Sequence, residues 1–301
     1  MRLPRIAISR RVALIGGWLA ATALLIALGR TIDWAKTADV LAAARPAWLI
    51  AAVLGNAGIL FGMAAFWLVL RPSAEPPLRF RRMFEIVATA TALMNTLPFG
   101  GGHASAVLLL IRHGDTSRRG ALSVLALDQL GEGLIKVGIL LLVALLLPLP
   151  AGMHAGVVTT SILVAVLFVG LVAASRWATE LRILHDWRRS AGAMTYVFST
   201  KVCEALAIVA VQRAFGVDIE ASGTLLVLAA VILGTILPVS PGNLGTYEAS
   251  VFLAYRYLGV APEQALSLAV ALHVCFMLPS VGIGYLFISA QTVSRSAIAS
   301  R

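Results

Sequence analysis

The sequence predicts an all-α polytopic membrane protein, and three observations predict it. Of its 301 residues, 59% are apolar and only 13% charged, with a mean hydropathy of +0.91. Soluble domains run near 45–50% apolar and about 25% charged. Several stretches reach the ~20 apolar residues that a helix needs to cross a hydrocarbon core about 30 Å thick. Two more apolar regions are broken in the middle by proline and glycine. The net charge of +10 does not point to nucleic acid, because the basic residues sit in short loops between apolar runs and there set topology and meet anionic head groups. Cys203 and Cys275 lie inside apolar runs, so neither a disulfide framework nor a metal-binding spacing is expected.

The expected full spans are Val12–Gly29, Ala47–Leu70, Ala121–Leu147, Gly156–Ala174, Ala191–Ala214 and Gln264–Ala290. The arginine-rich start before Val12 resembles a signal peptide, but the apolar run is long and the remaining chain is membrane in any case. Asp33–Arg45 alternates charged and small apolar residues, as a short interfacial helix does. Met83–Ile111 is interrupted at Pro98-Phe99-Gly100-Gly101-Gly102, and Ser222–Leu258 from Pro238 through Pro241, Gly242 and Gly245. Proline removes a helical hydrogen bond and glycine tolerates open backbone, so both clusters are expected to break a helix. The arms left over are too short to span, which predicts re-entrant hairpins.

Loop charge tests that choice. With a cytoplasmic N-terminus and both broken regions returning to the side they entered, most of the 24 basic residues fall inside, including Arg71–Arg82, Arg112–Arg119 and Arg176–Arg189. If the first region crossed fully, alone or together with the second, the loop Arg176–Arg189 would face outward, against the positive-inside rule. The hairpins then enter from opposite faces, as in inverted-topology repeats, with approximate halves 47–147 and 191–290. Plain kinks in packed spans are the alternative. The whole chain, 1–301, reads as one integral membrane domain with both termini in the cytoplasm, in the inner (plasma) membrane.

Within the spans, Asp128, Glu132 and Lys136 recur every four residues and share a helix face, as do Lys201 and Glu204. Each ionised side chain at mid-membrane costs about 2.5–3.5 kcal/mol on insertion scales, so these must face the interior. They either pair into a structural network or line a substrate path, with the lysines on an anionic group and the carboxylates on a proton or an ammonium. Glu248, just past the second break, either caps a helix or lines that path. His103 stands at the matching place after the first break, where it could meet phosphate or change charge near neutral pH. Asn95 and Asn243 serve as ligands or as partners for backbone. His273 is read as a hydrogen-bonded packing residue, and Glu85 as a partner for Arg81 or Arg82. No Walker loop, Rossmann fingerprint, HExxH or serine elbow is present, so an enzyme acting alone is not expected, nor a cofactor or metal.

These residues resemble a known family. Leu237 through Glu248, followed by Gly259, is similar to the signature of the lysylphosphatidylglycerol synthase transmembrane (flippase-like) family. Asn95, Leu97-Pro98, Gly100–Gly102, Asp128 and Glu132 resemble its first half. The resemblance covers nearly the whole chain, with departures at Asn243 (glycine in the family), His103 (often glutamate) and Gln129 (often arginine); these bear on substrate identity more than on fold. It implies translocation of a lipid between leaflets, without the synthetase domain. The expected cargo is an anionic, aminoacylated or polyprenyl-linked lipid. Two alternatives are a secondary transporter of a small solute and a non-transporting subunit docking a lipid- or glycan-modifying enzyme.

Overall fold

A computed structural model describes residues 33–97, 101–149, 151–236 and 240–299. The span Val12–Gly29 and the break residues Pro98, Gly100 and Pro238 lie outside the described residues. The helices are α1 (Trp34–Ala42), α2 (Pro46–Leu70), α3 (Phe80–Thr96), α4 (Gly101–His113), α5 (Arg118–Leu146), α6 (Ala151–Ala174), α7 (Trp187–Ala214), α8 (Ala221–Gly234), α9 (Thr246–Tyr257) and α10 (Pro262–Ala299). A 3₁₀ turn precedes α7 at Thr179–His185, and another precedes α9 at Pro241–Asn243. No strand occurs among the described residues. Among the described residues, five helices are long and apolar enough to cross a membrane, and they match the expected spans from Ala47 onward.

Local chemistry starts these helices. The Asp33 carboxylate accepts from the amides of Ala35 and Lys36 at 3.1 and 3.2 Å, opening α1. Pro46 occupies the first turn of α2, where its missing N–H costs nothing. Ser117 caps α5 by accepting from Gly120 N, and Asp186 caps α7 by accepting from Arg189 N.

The central axis is the antiparallel pair α2 and α7. At one end Arg45 N donates to Ala214 O; at the other Arg189 Nε donates to Val69 O at 3.0 Å. The pair closes tightly because α2 turns glycines toward α7. A Cβ on Gly62 would stand 2.7 Å from Thr200 Cγ2, so close approach of the backbones replaces side-chain interdigitation.

Each broken region folds back on itself. In the first, Arg82 at the start of α3 donates to His113 O at the end of α4. In the second, Gly223 at the start of α8 lies against Leu258, just past α9. Near each tip a glycine lets the arms touch. A Cβ on Gly102 would overlap Met94 Cα, and one on Gly234 would overlap Ser250 Oγ. The first hairpin opens at the end of the α2–α7 pair that carries Arg71 and Arg189; Arg71 holds Gly114 O and Thr116 Oγ1. The second opens at the other end, where Val217 bonds Gln212 O and Gln264 bonds Phe215 O. The tips meet between them, with Asn95 O 3.2 Å from the place a Cβ on Gly242 would take.

Two apolar cores follow this plan. One gathers around the first hairpin through Leu60, Trp67, Met83, Val87, Leu110 and Val124. The other gathers around the second through Ile208, Leu226, Leu228, Val251, Tyr255 and Leu268. Helices α2, α5 and α7 give one stretch to each.

The breaks differ in detail from expectation. Gly101 and Gly102 do not break a helix; they are the first residues of α4, because a helical turn begun there lets the arms pack backbone to backbone. The second break contains a 3₁₀ turn rather than open coil, with Gly242 and Gly245 at φ 61° and 86°. The first arms run Phe80–Thr96 and Gly101–His113, so both are longer than the apolar pattern implied.

Candidate functional site

The ionisable side chains of the spans fall into two neighbouring groups. The first lies where α5 faces α7. Asp128 is buried, and Trp67 of α2 donates its indole N–H to Asp128 Oδ1 at 2.8 Å, while Gln129 donates to Oδ2 at 3.3 Å. One turn on, Glu132 pairs with Lys136 at 2.6 Å. On α7, Lys201 pairs with Glu204 at 2.8 Å, and both side chains are mostly buried. Lys201 of α7 and His103 of α4 stand close enough to Glu132 to gather α4, α5 and α7 around it. His103 itself is exposed, unlike its counterpart Glu248. Buried ion pairs of this kind bring no large net stability; they offset the desolvation of their own charges.

The second group sits at the tip of the second hairpin. Glu248 is in the first turn of α9 and accepts from Gly245 N through Oε2 at 2.7 Å, closing the start of that helix. Its Oε1 lies 2.7 Å from Nδ1 of His273 on α10. The other ring nitrogen, Nε2, lies 2.9 Å from Gly242 O. The Tyr247 ring stacks on the imidazole with centroids 4.4 Å apart. Tyr247 lies near Glu204 of α7, so the two groups are neighbours.

A cavity of about 640 Å³ reaches this tip. Its polar end is made by Asn95, Thr96, Glu248 and His273, and its walls by Val270, Val274, Met277, Leu278 and Val281. That volume is in the range of small-molecule sites, ~300–1,000 Å³. A second cavity of about 870 Å³ between α6, α8 and α9 is lined mainly by apolar side chains, among them Leu163, Leu226, Leu233 and Leu253.

A family model described as the lysylphosphatidylglycerol synthase TM region matches residues 8–284. The chain belongs to that family. No curated protein matches it. The match takes in both hairpins and both charged groups, and with the five long apolar helices it makes the chain a multi-pass membrane protein of that family.

Some expected residues come together and others do not. Asp128, Glu132, Lys136, Lys201 and Glu204 form one cluster, with the two lysines already in ion pairs. Asn95 lines the cavity but donates its amide to Thr91 O, one turn back. Asn243 sits at φ 55° with its side-chain oxygen buried and unpaired. Asparagine is among the side chains that best tolerate a backbone in the left-handed region. Glu85 pairs with both Arg81 and Arg82. The sequence reading placed His273 among packing residues; it is hydrogen bonded as expected, yet it belongs to the site. It stands 25 positions from Glu248, so no local spacing joins them. Trp67 was not singled out at all, and its 61-residue separation from Asp128 left no pattern to find.

Proposed function

We propose that the chain is a lipid translocase of the inner membrane, moving an anionic, aminoacylated or polyprenyl-linked lipid between leaflets. One observation carries the reading. The tips of two folded-back helix pairs meet beside a paired cluster of charges, at a cavity polar at the tip and apolar along its walls. A polar head group fits the first surface and an acyl chain the second. Arginines crowd the end holding Arg71, Arg82, Arg119 and Arg189, so that end is cytoplasmic by the positive-inside rule. On this reading the hairpins are re-entrant and form an inverted repeat about the α2–α7 pair, which is how broken helices build midplane sites in carriers. The family likeness supports a lipid cargo. The chain acts as a carrier, not an enzyme, and its partners are membrane lipids.

The test is reconstitution of the purified chain into vesicles carrying fluorescent lipids in one leaflet. Movement of at least one of three probes (lysylphosphatidylglycerol, phosphatidylglycerol or a polyprenyl phosphate) faster than in protein-free vesicles is the expected result. Rates equal to the protein-free rates for all three overturn the reading.

A further inference from the structure

The hydrogen-bond chemistry at the second tip fixes a proton count. Gly242 O is a carbonyl and can only accept, so His273 Nε2 carries a hydrogen. A ring flip would set carbon atoms against both oxygens and lose both bonds. At 2.7 Å, Nδ1 and Glu248 Oε1 need one proton between them, whichever atom holds it. The other carboxylate oxygen already accepts from Gly245 N. The pair therefore holds two protons, one more than a neutral imidazole beside a carboxylate, and has no net charge.

We propose that Glu248 and His273 form a binding site for a single proton, whose occupancy ties the tip of the second hairpin to α10. As the coupling-ion site of a carrier it rests on the translocase reading; as a proton site it does not. The bound proton comes from water in the cavity that Glu248, His273 and Gly242 all line, and it returns there. When it leaves, one ring hydrogen remains for two acceptors, and the charged Glu248 carboxylate is the stronger of the two, so the hydrogen stays as Nδ1–H. Gly242 O then faces a bare Nε2 and loses its donor. The loop it releases contains the two left-handed glycines, Gly242 and Gly245, and touches Asn95 of the first hairpin. A proton thus decides whether the tip of the second hairpin is held against α10.

Further titratable groups stand around this pair, among them Tyr255 of α9 and Cys275 of α10. From α9 come Glu248 itself and the stacked Tyr247; Arg256, at the far end of that helix, donates to Val260 O. From α7, Glu204 is engaged by Lys201. α3 presents the uncharged Asn95 and Thr96, and its Glu85 is paired at the other end. α2 has no titratable residue between Pro46 and Leu70, and in α1 Lys36 pairs with Asp33.

The experiment uses the full chain in lipid nanodiscs, labelled with ¹⁵N-histidine; only five histidines contribute. At neutral pH one histidine, identified by its loss in H273Q, is expected to show a protonated Nε2 and a proton on or shared with Nδ1. The Nδ1 proton signal is lost in E248Q. E248D, which withdraws the carboxylate by one methylene, loses it too and serves where E248Q fails to fold. A His273 ring that carries a single hydrogen at neutral pH, with no proton shared from Glu248, overturns the proposal. In vesicles, the ratio of lipid transfer rates with and without an imposed pH gradient is expected to exceed one for the native chain and fall to one in E248Q. A native ratio of one removes the coupling role. The histidine signature without movement of any lipid probe sinks the translocase reading and leaves the proton site standing.

Discussion

Single residues show how this chain keeps charge and unusual backbone inside an apolar body. Asp128 is tolerated because an indole N–H is aimed at it. Trp67→Phe keeps the ring and deletes that donor, leaving a buried carboxylate oxygen without it. We expect a loss of about 1–3 kcal/mol, read as an earlier thermal unfolding transition in detergent. An unchanged transition in W67F would show that Gln129 alone satisfies Asp128. The turn at Gly242–Asn243 makes an opposed pair of predictions. Gly242→Ala places a Cβ at φ 61° and 2.6 Å from Met277 Cε, and should destabilise by about 1–3 kcal/mol. Asn243→Gly removes a β-carbon from a left-handed residue and should be neutral within about 1 kcal/mol. Equal losses in both variants would mean that the buried Asn243 oxygen, not the backbone, is what the turn requires.

Between elements, the arginine end is held by side chains reaching across loops. Arg71, the residue after α2, donates to Thr116 Oγ1, Pro76 O and Gly114 O, and Glu75 accepts from both the amide and the hydroxyl of Ser117. Burial pulls the Arg71 guanidinium below its ordinary value, and Glu75 and Asp115 oppose that pull, so it stays charged. A planar fork is needed to serve three acceptors at once. Arg71→Lys keeps the charge and loses the fork. Hydrogen exchange at Gly114 and Thr116 should quicken about tenfold, equivalent to ~1.4 kcal/mol, while α8 and α9 at the far end keep their protection. Uniform loss of protection would contradict this local role.

For the whole molecule, the arrangement around the α2–α7 pair sets two entry sides, and the membrane reading of that arrangement has a direct check. With Cys203 and Cys275 replaced by alanine, R81C and R213C each offer one exposed thiol near the open ends of the two hairpins. In oriented vesicles an impermeant maleimide should reach R213C from outside and R81C only after permeabilisation. Labelling of both from one face would exclude hairpins that enter from opposite sides.

Much of this architecture can be read in the chain before it folds. Composition alone demands a membrane, since a chain this apolar has no soluble way to bury itself, and the five long helices fall where the apolar runs lie. The positions of Pro241 and Gly242 mark a break because their backbone chemistry is local, and the four-residue spacings of Asp128, Glu132 and Lys136 place them on one face for the same reason. Glu132–Lys136 and Lys201–Glu204 are close in sequence, and so their pairing is legible as well. What folding alone decides is the set of contacts between distant segments. His273 and Trp67 look like ordinary apolar-helix residues until α10 and α2 bring them to Glu248 and Asp128, because hydrogen bonds depend on distance in space and leave no period in the sequence. The same holds for Gly102, whose absent side chain matters only once another helix lies on top of it.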